Sequence, residues 1–184
     1  MRIITGSAKG LRLKTATGLA TRPTSDRVKE SLFSILNGLT DFHEASVVLD
    51  IFAGTGALGL ESVSRGAKSA TFIDTNTTVL AENIRRAKFQ NCTILRDDFR
   101  NALKKISSQK FDLIFSDPPY ASSFAQISAN LVSELGILAD AGLLVVEHGL
   151  NDILTTPDKL EPIRKITYGH TTAIDIFKPK GSKQ

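Results

Sequence analysis

The sequence predicts an α/β fold: a mostly parallel, Rossmann-like sheet of seven strands, covered by helices on both faces and finished at one edge by an antiparallel hairpin. Two observations predict it. From Val47 to Glu147, short apolar runs alternate with stretches of helical periodicity, and strand–helix alternation means parallel strands joined by helical crossovers. Further on, Lys165–Tyr168 and Thr172–Phe177 follow one another across Gly169 with no helix between them, so the last two strands should pair antiparallel.

The elements follow in order. Arg2–Thr5 and Leu11–Lys14 flank a glycine-bearing turn region, Gly6 to Gly10, and read as a short hairpin. A polar connector runs from Thr17 to Pro23. Ser25 is placed to cap a helix whose apolar residues Val28, Leu32, Phe33, Ile35 and Leu36 share one face, with Gly38 as its stop. Val47–Ile51 is a buried strand, followed by a glycine-rich turn and a helix from Ala57 to Arg65. Ser69–Asp74, Thr93–Leu95, Phe111–Asp117 and Leu143–Glu147 are the next strands. Helices are expected over Thr77–Lys88, after Asp98, and over Phe124–Leu135. The chain thus divides into a small N-terminal hairpin-and-helix extension, residues 1–40, and a sheet domain, residues 41–184.

A chain of 184 residues can bury a full core without staples. Its single cysteine, Cys92, cannot form an intrachain disulfide, which suits a reducing cytoplasm. Met1–Gly6 holds no apolar stretch of signal-peptide length, and the greasiest run, Gly142–Val146, is strand-length. A cytoplasmic protein without membrane attachment is expected. Net charge is +4, unevenly spread: residues 1–30 carry seven Lys or Arg against two acids, and residues 178–184 carry three Lys and no acid. The body between them is mildly acidic, so a polyanion is expected to dock at the basic ends. His43, His148 and His170 are scattered, and no metal site is expected.

Asp50-Ile51-Phe52-Ala53-Gly54-Thr55-Gly56-Ala57-Leu58-Gly59 stands at the carboxyl end of the first parallel strand, the edge where open sheets bind ligands. Gly54 and Gly56 let the backbone turn close to a ligand, and Gly59 lets helix and strand pack closely. The spacing alone fits a nicotinamide dinucleotide or S-adenosylmethionine equally. Asp74, ending the second strand, can accept two ribose hydroxyls, which is common to both cofactors. Asp98 could accept from an adenine amine, with the Phe99 amide donating to a ring nitrogen, or could cap the following helix, or do both. Asp50 could reach the cofactor's ammonium or fix the loop. The cofactor candidates are therefore Asp50, Phe52, Ala53, Gly54, Gly56, Asp74, Asp98 and Phe99.

Asp117-Pro118-Pro119-Tyr120 breaks the tie. Two prolines stiffen the loop and fix the direction of its carbonyls. An exocyclic base amine has its lone pair drawn into the ring; acceptors at Asp117 and the Pro118 carbonyl would help localise it on nitrogen. Tyr120 offers a flat face on which the base can stack. A sulfonium methyl is already a good electrophile, so in-line positioning supplies most of the catalysis and the proton can leave afterwards. A nicotinamide enzyme has no use for such a loop. Asp117, Pro118, Pro119 and Tyr120 are the catalytic candidates.

The order Asp50-x-Phe52-Ala53-Gly54-Thr55-Gly56, Asp74, Asp117-Pro118-Pro119-Tyr120 resembles that of amino-methyltransferases acting on nucleic acids, built on the seven-stranded class I methyltransferase sheet. With Gly6-x-x-Lys9-Gly10-x-x-Leu13-Lys14, Arg22–Glu30 and Gly56–Glu61, the chain is similar to the bacterial 16S rRNA guanine-N2 methyltransferase family (RsmD-like) from Arg2 to about Phe177. The resemblance implies transfer of a methyl group from S-adenosylmethionine to the N2 amine of a guanine in 16S rRNA. The substrate would be presented by an assembled or assembling small subunit, and the enzyme is expected to be a monomer. Lys9, Arg12, Lys14, Arg22 and Arg27 are candidates for phosphate contacts, although Arg22-Pro23-Thr24 could instead close over the methionine end of the cofactor. Asp97 beside Asp98 makes the adenine segment more acidic than the family leads one to expect. Two alternatives stay open: methylation of an adenine or glutamine amide by the same loop chemistry, and a non-catalytic RNA-binding assembly factor.

Overall fold

Parallel strands form where β-branched and leucine runs allow them. In the computed structural model, which describes residues 1–15, 26–40, 46–119 and 123–182, these runs are β1 (Val47–Ile51), β2 (Ser69–Asp74), β3 (Cys92–Arg96), β4 (Phe111–Ser116) and β5 (Leu138–Gly149). β6 (Leu160–Tyr168) and β7 (Thr172–Pro179) complete a seven-stranded sheet in the order β3-β2-β1-β4-β5-β7-β6. The first five are parallel neighbours; β7 runs antiparallel between β5 and β6, as the helix-free ending of the sequence requires.

The strands' alternation sorts the core into two layers. Val48, Phe72, Phe115, Val145 and Ile174 face α1 (Asp26–Leu39), α2 (Ala57–Ser64) and α3 (Thr78–Ala87). Leu49, Ile51, Ile73, Ile114, Leu144 and Val146 face α4 (Phe99–Lys105) and α5 (Phe124–Leu135). Asp98 caps α4, accepting from the Arg100 amide at 2.9 Å. Ser25, expected to cap α1, lies outside the described residues, as does the polar connector Thr17–Pro23.

The larger departures from the sequence expectation fall at α1, β5 and β6. α1 runs through Gly38 to Leu39, because the buried face of Leu32, Phe33 and Leu36 holds the helix while Gly38 has open space around it. β5 extends beyond 143–147 at both ends, with a register irregularity between Phe111 and Leu113 of β4 that admits the polar Ala139-Asp140-Ala141 stretch. β6 begins at Leu160, since its ladder with β7 reaches Pro179. The N-terminal hairpin is a single bridge, Arg2 to Arg12, reinforced by Ile3–Leu11 and Leu13–Met1 backbone bonds.

The extension shares the sheet's core. Ile3, Leu13, Leu32, Phe33 and Leu36 are buried in the same layer as α2 and β1. Gly6 sits directly on the end of α2: a Cβ there would fall 1.6 Å from the Ser64 carbonyl oxygen, so only glycine allows the contact.

Candidate active site

The parallel strands end on one edge, and the strand order reverses between β1 and β4, the place where such sheets open a crevice. The sequence candidates converge on that edge. Asp50 lies near the end of β1 and Phe52 follows it, Asp74 ends β2, Asp98 and Phe99 follow β3, and Asp117-Pro118-Pro119 follows β4. Tyr120 lies outside the described residues.

The glycine turn is held from three sides. Asp50, 2% exposed, accepts from the Gly59 amide at 2.9 Å, pinning the start of α2. A Cβ on Gly59 would lie 2.3 Å from the Phe72 ring, so the strand–helix approach depends on glycine here. Asp74 accepts from the Gly54 amide at 2.7 Å and from the Asn76 amide at 2.9 Å. The fully buried Asn83 of α3 donates to the Thr55 carbonyl at 2.9 Å while pairing with both backbone groups of Lys14. Asn83 thus joins the hairpin to the turn; a buried amide among the polar residues of α3 has no sequence signature, and sequence reasoning missed it.

Asp50 thus ties the end of β1 to the start of α2. Burial pushes its carboxyl up to about 7, opposed by the Gly59 amide and raised a little further by Asp74. Asp74 already has a donor on each oxygen, but a carboxylate offers about four acceptor sites, so ribose hydroxyls can still be received. Asp98 caps α4 and pairs with Arg100 at 3.1 Å, leaving its half-exposed carboxylate accessible to a ligand. Asp97, the second acid of that segment, is taken by Lys105 at 2.6 Å, which holds its carboxyl below the usual range.

Phe52 adopts a left-handed φ of 62° and packs its ring on Phe99 at 4.7 Å and parallel to Phe124 at 6.0 Å. Arg100 lies over the Phe99 and Phe124 rings. Phe124 is a further site-edge residue; its place at the start of a helix after the double proline was the available signal.

Asp117 is braced by its amide, which donates to the Ile51 carbonyl across β1 at 3.5 Å, while Pro118 is buried and Pro119 exposed. Burial raises its carboxyl well above the ordinary range, and the nearby Glu147 and Asp50 carboxylates raise it further. Beneath it, the Ser116 and Ser128 hydroxyls bond at 2.7 Å, tying the strand end to α5.

The basic candidates do not all stand alike. Lys9, Arg12, Lys14 and Arg27 are exposed, but Lys14 pairs with Glu82 at 2.5 Å. Arg22 lies outside the described residues. Behind this surface, Lys29 and Glu61 form a fully buried ion pair at 3.0 Å, and Glu61 also accepts from the Ile4 and Thr5 amides and from Arg65. Among the described residues, no helix is long and apolar enough to cross a membrane.

A parallel sheet with β7 inserted antiparallel beside β5, carrying a glycine turn after β1 and an acid–Pro–Pro loop after β4, makes this chain a Rossmann-like class I methyltransferase. It belongs to the family described as Conserved hypothetical protein 95, the RsmD family, whose model matches residues 1–177. Its relatives include ribosomal RNA small subunit methyltransferase D of Haemophilus influenzae, 34% identical over 92% of this chain and 89% of that protein. The protein of the same name from Escherichia coli K12 is 35% identical over 85% and 78%. The solved structure of the E. coli protein yhhF superposes with a TM-score of 0.83 at 31% identity, covering 100% of this chain and 99% of that one.

Proposed function

We propose that this enzyme transfers a methyl group from S-adenosylmethionine to the exocyclic N2 amine of a guanine in 16S rRNA, within an assembled or assembling small subunit. The observation that carries the reading is the position of Asp117-Pro118-Pro119: at the end of β4, next to the β1 glycine turn and braced against it through Ile51. The names of its relatives support the substrate class, and the family resemblance supports guanine N2.

The residues present fit the cofactor. Asp74 has free acceptor capacity for ribose hydroxyls, the Asp98–Phe99 helix start suits an adenine edge, and a Cβ on Gly54 would meet nothing nearer than 3.9 Å, so the turn is open to a ligand. When bound, S-adenosylmethionine supplies a sulfonium methyl, the methyl–sulfur electron pair passing to sulfur as the nitrogen–methyl bond forms. The chain's own part is to orient the amine at Asp117 and the Pro118 carbonyl, and to hold base and donor in line. Lys9, Arg12 and Arg27 supply phosphate contacts that set the RNA's register.

The test is transfer of labelled methyl to small subunits from a strain lacking this protein, beside naked 16S rRNA and DNA, with the labelled nucleoside identified by mass spectrometry. N2-methylguanosine at one site is expected. Label confined to adenine or protein overturns the substrate, and no label from a folded protein overturns the catalytic reading.

A further inference from the structure

Acids stand at or near the ends of β1, β2 and β4, and β5 carries one two residues before its end, Glu147, beside the acid–Pro–Pro loop. Ser116, the last residue of β4, pairs in parallel register with Val146 of β5, so Asp117, which follows β4, comes next to Glu147. Adjacent strands lie about 4.8 Å apart, and register partners project to the same face. Phe115 and Val145, two residues earlier, both belong to the layer under α1 and α2, so Glu147 projects to that face, as does Asp117 when the alternation of β4 is carried one residue past its end. Glu147 is 9% exposed, and its backbone pairs with Ile174 of β7. From β1, Asp50 projects to the same face. Among the described residues, Lys29 of α1 and Arg65 at the end of α2 are engaged by Glu61. Among the described residues, the charged groups that bear on Asp117 are thus Glu147 from β5 and Asp50 from β1, both acids.

We propose that Glu147 is a positioning residue for methyl transfer: standing beside Asp117 across the β4–β5 pair, it makes Asp117 the acceptor of the proton that the methylated amine must lose. The proposal rests on the reading of Asp117 as the residue that receives the target amine. Once nitrogen has gained its methyl group it carries one proton too many. That N–H bond breaks, its electron pair stays on nitrogen, and the proton passes to an Asp117 carboxylate oxygen, giving a neutral carboxyl. A neighbouring carboxylate favours that neutral product and disfavours an ionised Asp117. Burial acts in the same direction, and Glu147 is the larger of the two charged contributions. Methyl transfer then needs Asp117 ionised beforehand, so its rate rises with pH through the Asp117 midpoint.

The experiment has two readouts. In the free protein, the aspartate carboxyl carbons are titrated by carbon-13 NMR in the wild type and in Glu147→Gln, with Asp117→Asn assigning the Asp117 signal. In parallel, single-turnover methyl transfer to small subunits is followed against pH. Removing the Glu147 charge should lower the Asp117 midpoint by about one pH unit, a tenfold loss of proton affinity. The acid limb of the rate profile should move to lower pH by the same amount, with a reduced plateau, and Asp117→Asn should lose the limb. A merely structural Glu147 would reduce the rate and leave both midpoints where they were, and that result overturns the proposal. If Glu147→Gln does not fold, the coupling is read in reverse: the Glu147 carboxyl must titrate lower in Asp117→Asn than in the wild type, and an unchanged midpoint overturns the proposal. A wild-type protein that labels no guanine overturns the functional reading and the proposal with it. Labelled guanine with unmoved midpoints in Glu147→Gln overturns the proposal alone.

Discussion

Lys29 Nζ lies 3.0 Å from Glu61 Oε2, and neither side chain reaches solvent. Glu61 is the hub: it also accepts from the Ile4 amide at 2.8 Å, the Thr5 amide at 3.0 Å and Arg65 Nε at 2.8 Å. Lys29 adds a bond to the Arg2 carbonyl at 2.6 Å. Burial lowers the Lys29 pKa, and the Glu61 carboxylate opposes that shift. Removing the hub strands more partners than removing one spoke. Glu61→Ala is expected to cost about 3–5 kcal/mol, the range for breaking a buried ion pair. Lys29→Met keeps Arg65 as a counter-charge and is expected to cost less, about 2 kcal/mol, the scale of a lost hydrogen bond to a charged group. Urea unfolding of both variants checks the order; a Lys29→Met loss as large as that of Glu61→Ala would contradict it.

Asp50 gives a pH dependence with a definite sign. Its carboxyl is raised from 3.8 to about 7, chiefly by burial. Between those values the folded protein holds a proton that the unfolded chain has released, so this group's contribution to stability falls as pH rises and levels off above about 7. Asp50→Asn keeps an acceptor for the Gly59 amide and cannot ionise. Relative to wild type, the variant should gain stability progressively from pH 4 to 7, by on the order of a few kcal/mol. Denaturant midpoints across that range measure it, and parallel curves for the two proteins would refute it.

Asp117→Ala removes the acceptor proposed for the target amine without touching the turn. Single-turnover transfer should fall on the order of 10²–10³-fold, the loss typical of one oriented transition-state contact. Calorimetry should find S-adenosylmethionine affinity unchanged. Turnover close to wild type would remove Asp117 from the reaction.

Lys9 and Arg12 are exposed on the hairpin. Reversing both charges should weaken RNA binding and make its logarithmic salt dependence shallower by about 2, roughly one for each phosphate no longer neutralised. Cofactor affinity should not change. An RNA affinity that is unaltered at every salt concentration would move the docking surface elsewhere.

The strands of the site edge were legible because each is a short apolar run ended by an acid: Asp50 within β1, Asp74, Asp117. Glu147 ends such a run too, yet its meaning depends on β5 lying beside β4, which only the sheet order supplies. Lys29 reads in the sequence as one more surface charge of the N-terminal region. It is fully buried because its partner belongs to a helix far along the chain, and helical periodicity carries no record of such a partner. Asn83 was illegible for the same reason: its three bonds all reach out of its own helix, to Lys14 and Thr55. The outer reach of β5 was missed because Ala139-Asp140-Ala141 lacks alternation and enters the sheet through an irregular register.

Glu61 belongs to the helix that begins at the glycine turn, and two of its bonds end on the amides of Ile4 and Thr5. With Asn83 fastening Lys14 to Thr55, the hairpin and the turn cannot shift independently. On the proposed reading, whatever the hairpin grips stands at a constant span from the loop that receives the base. On that reading the protein is a gauge block, measuring out its target base by distance from the grip.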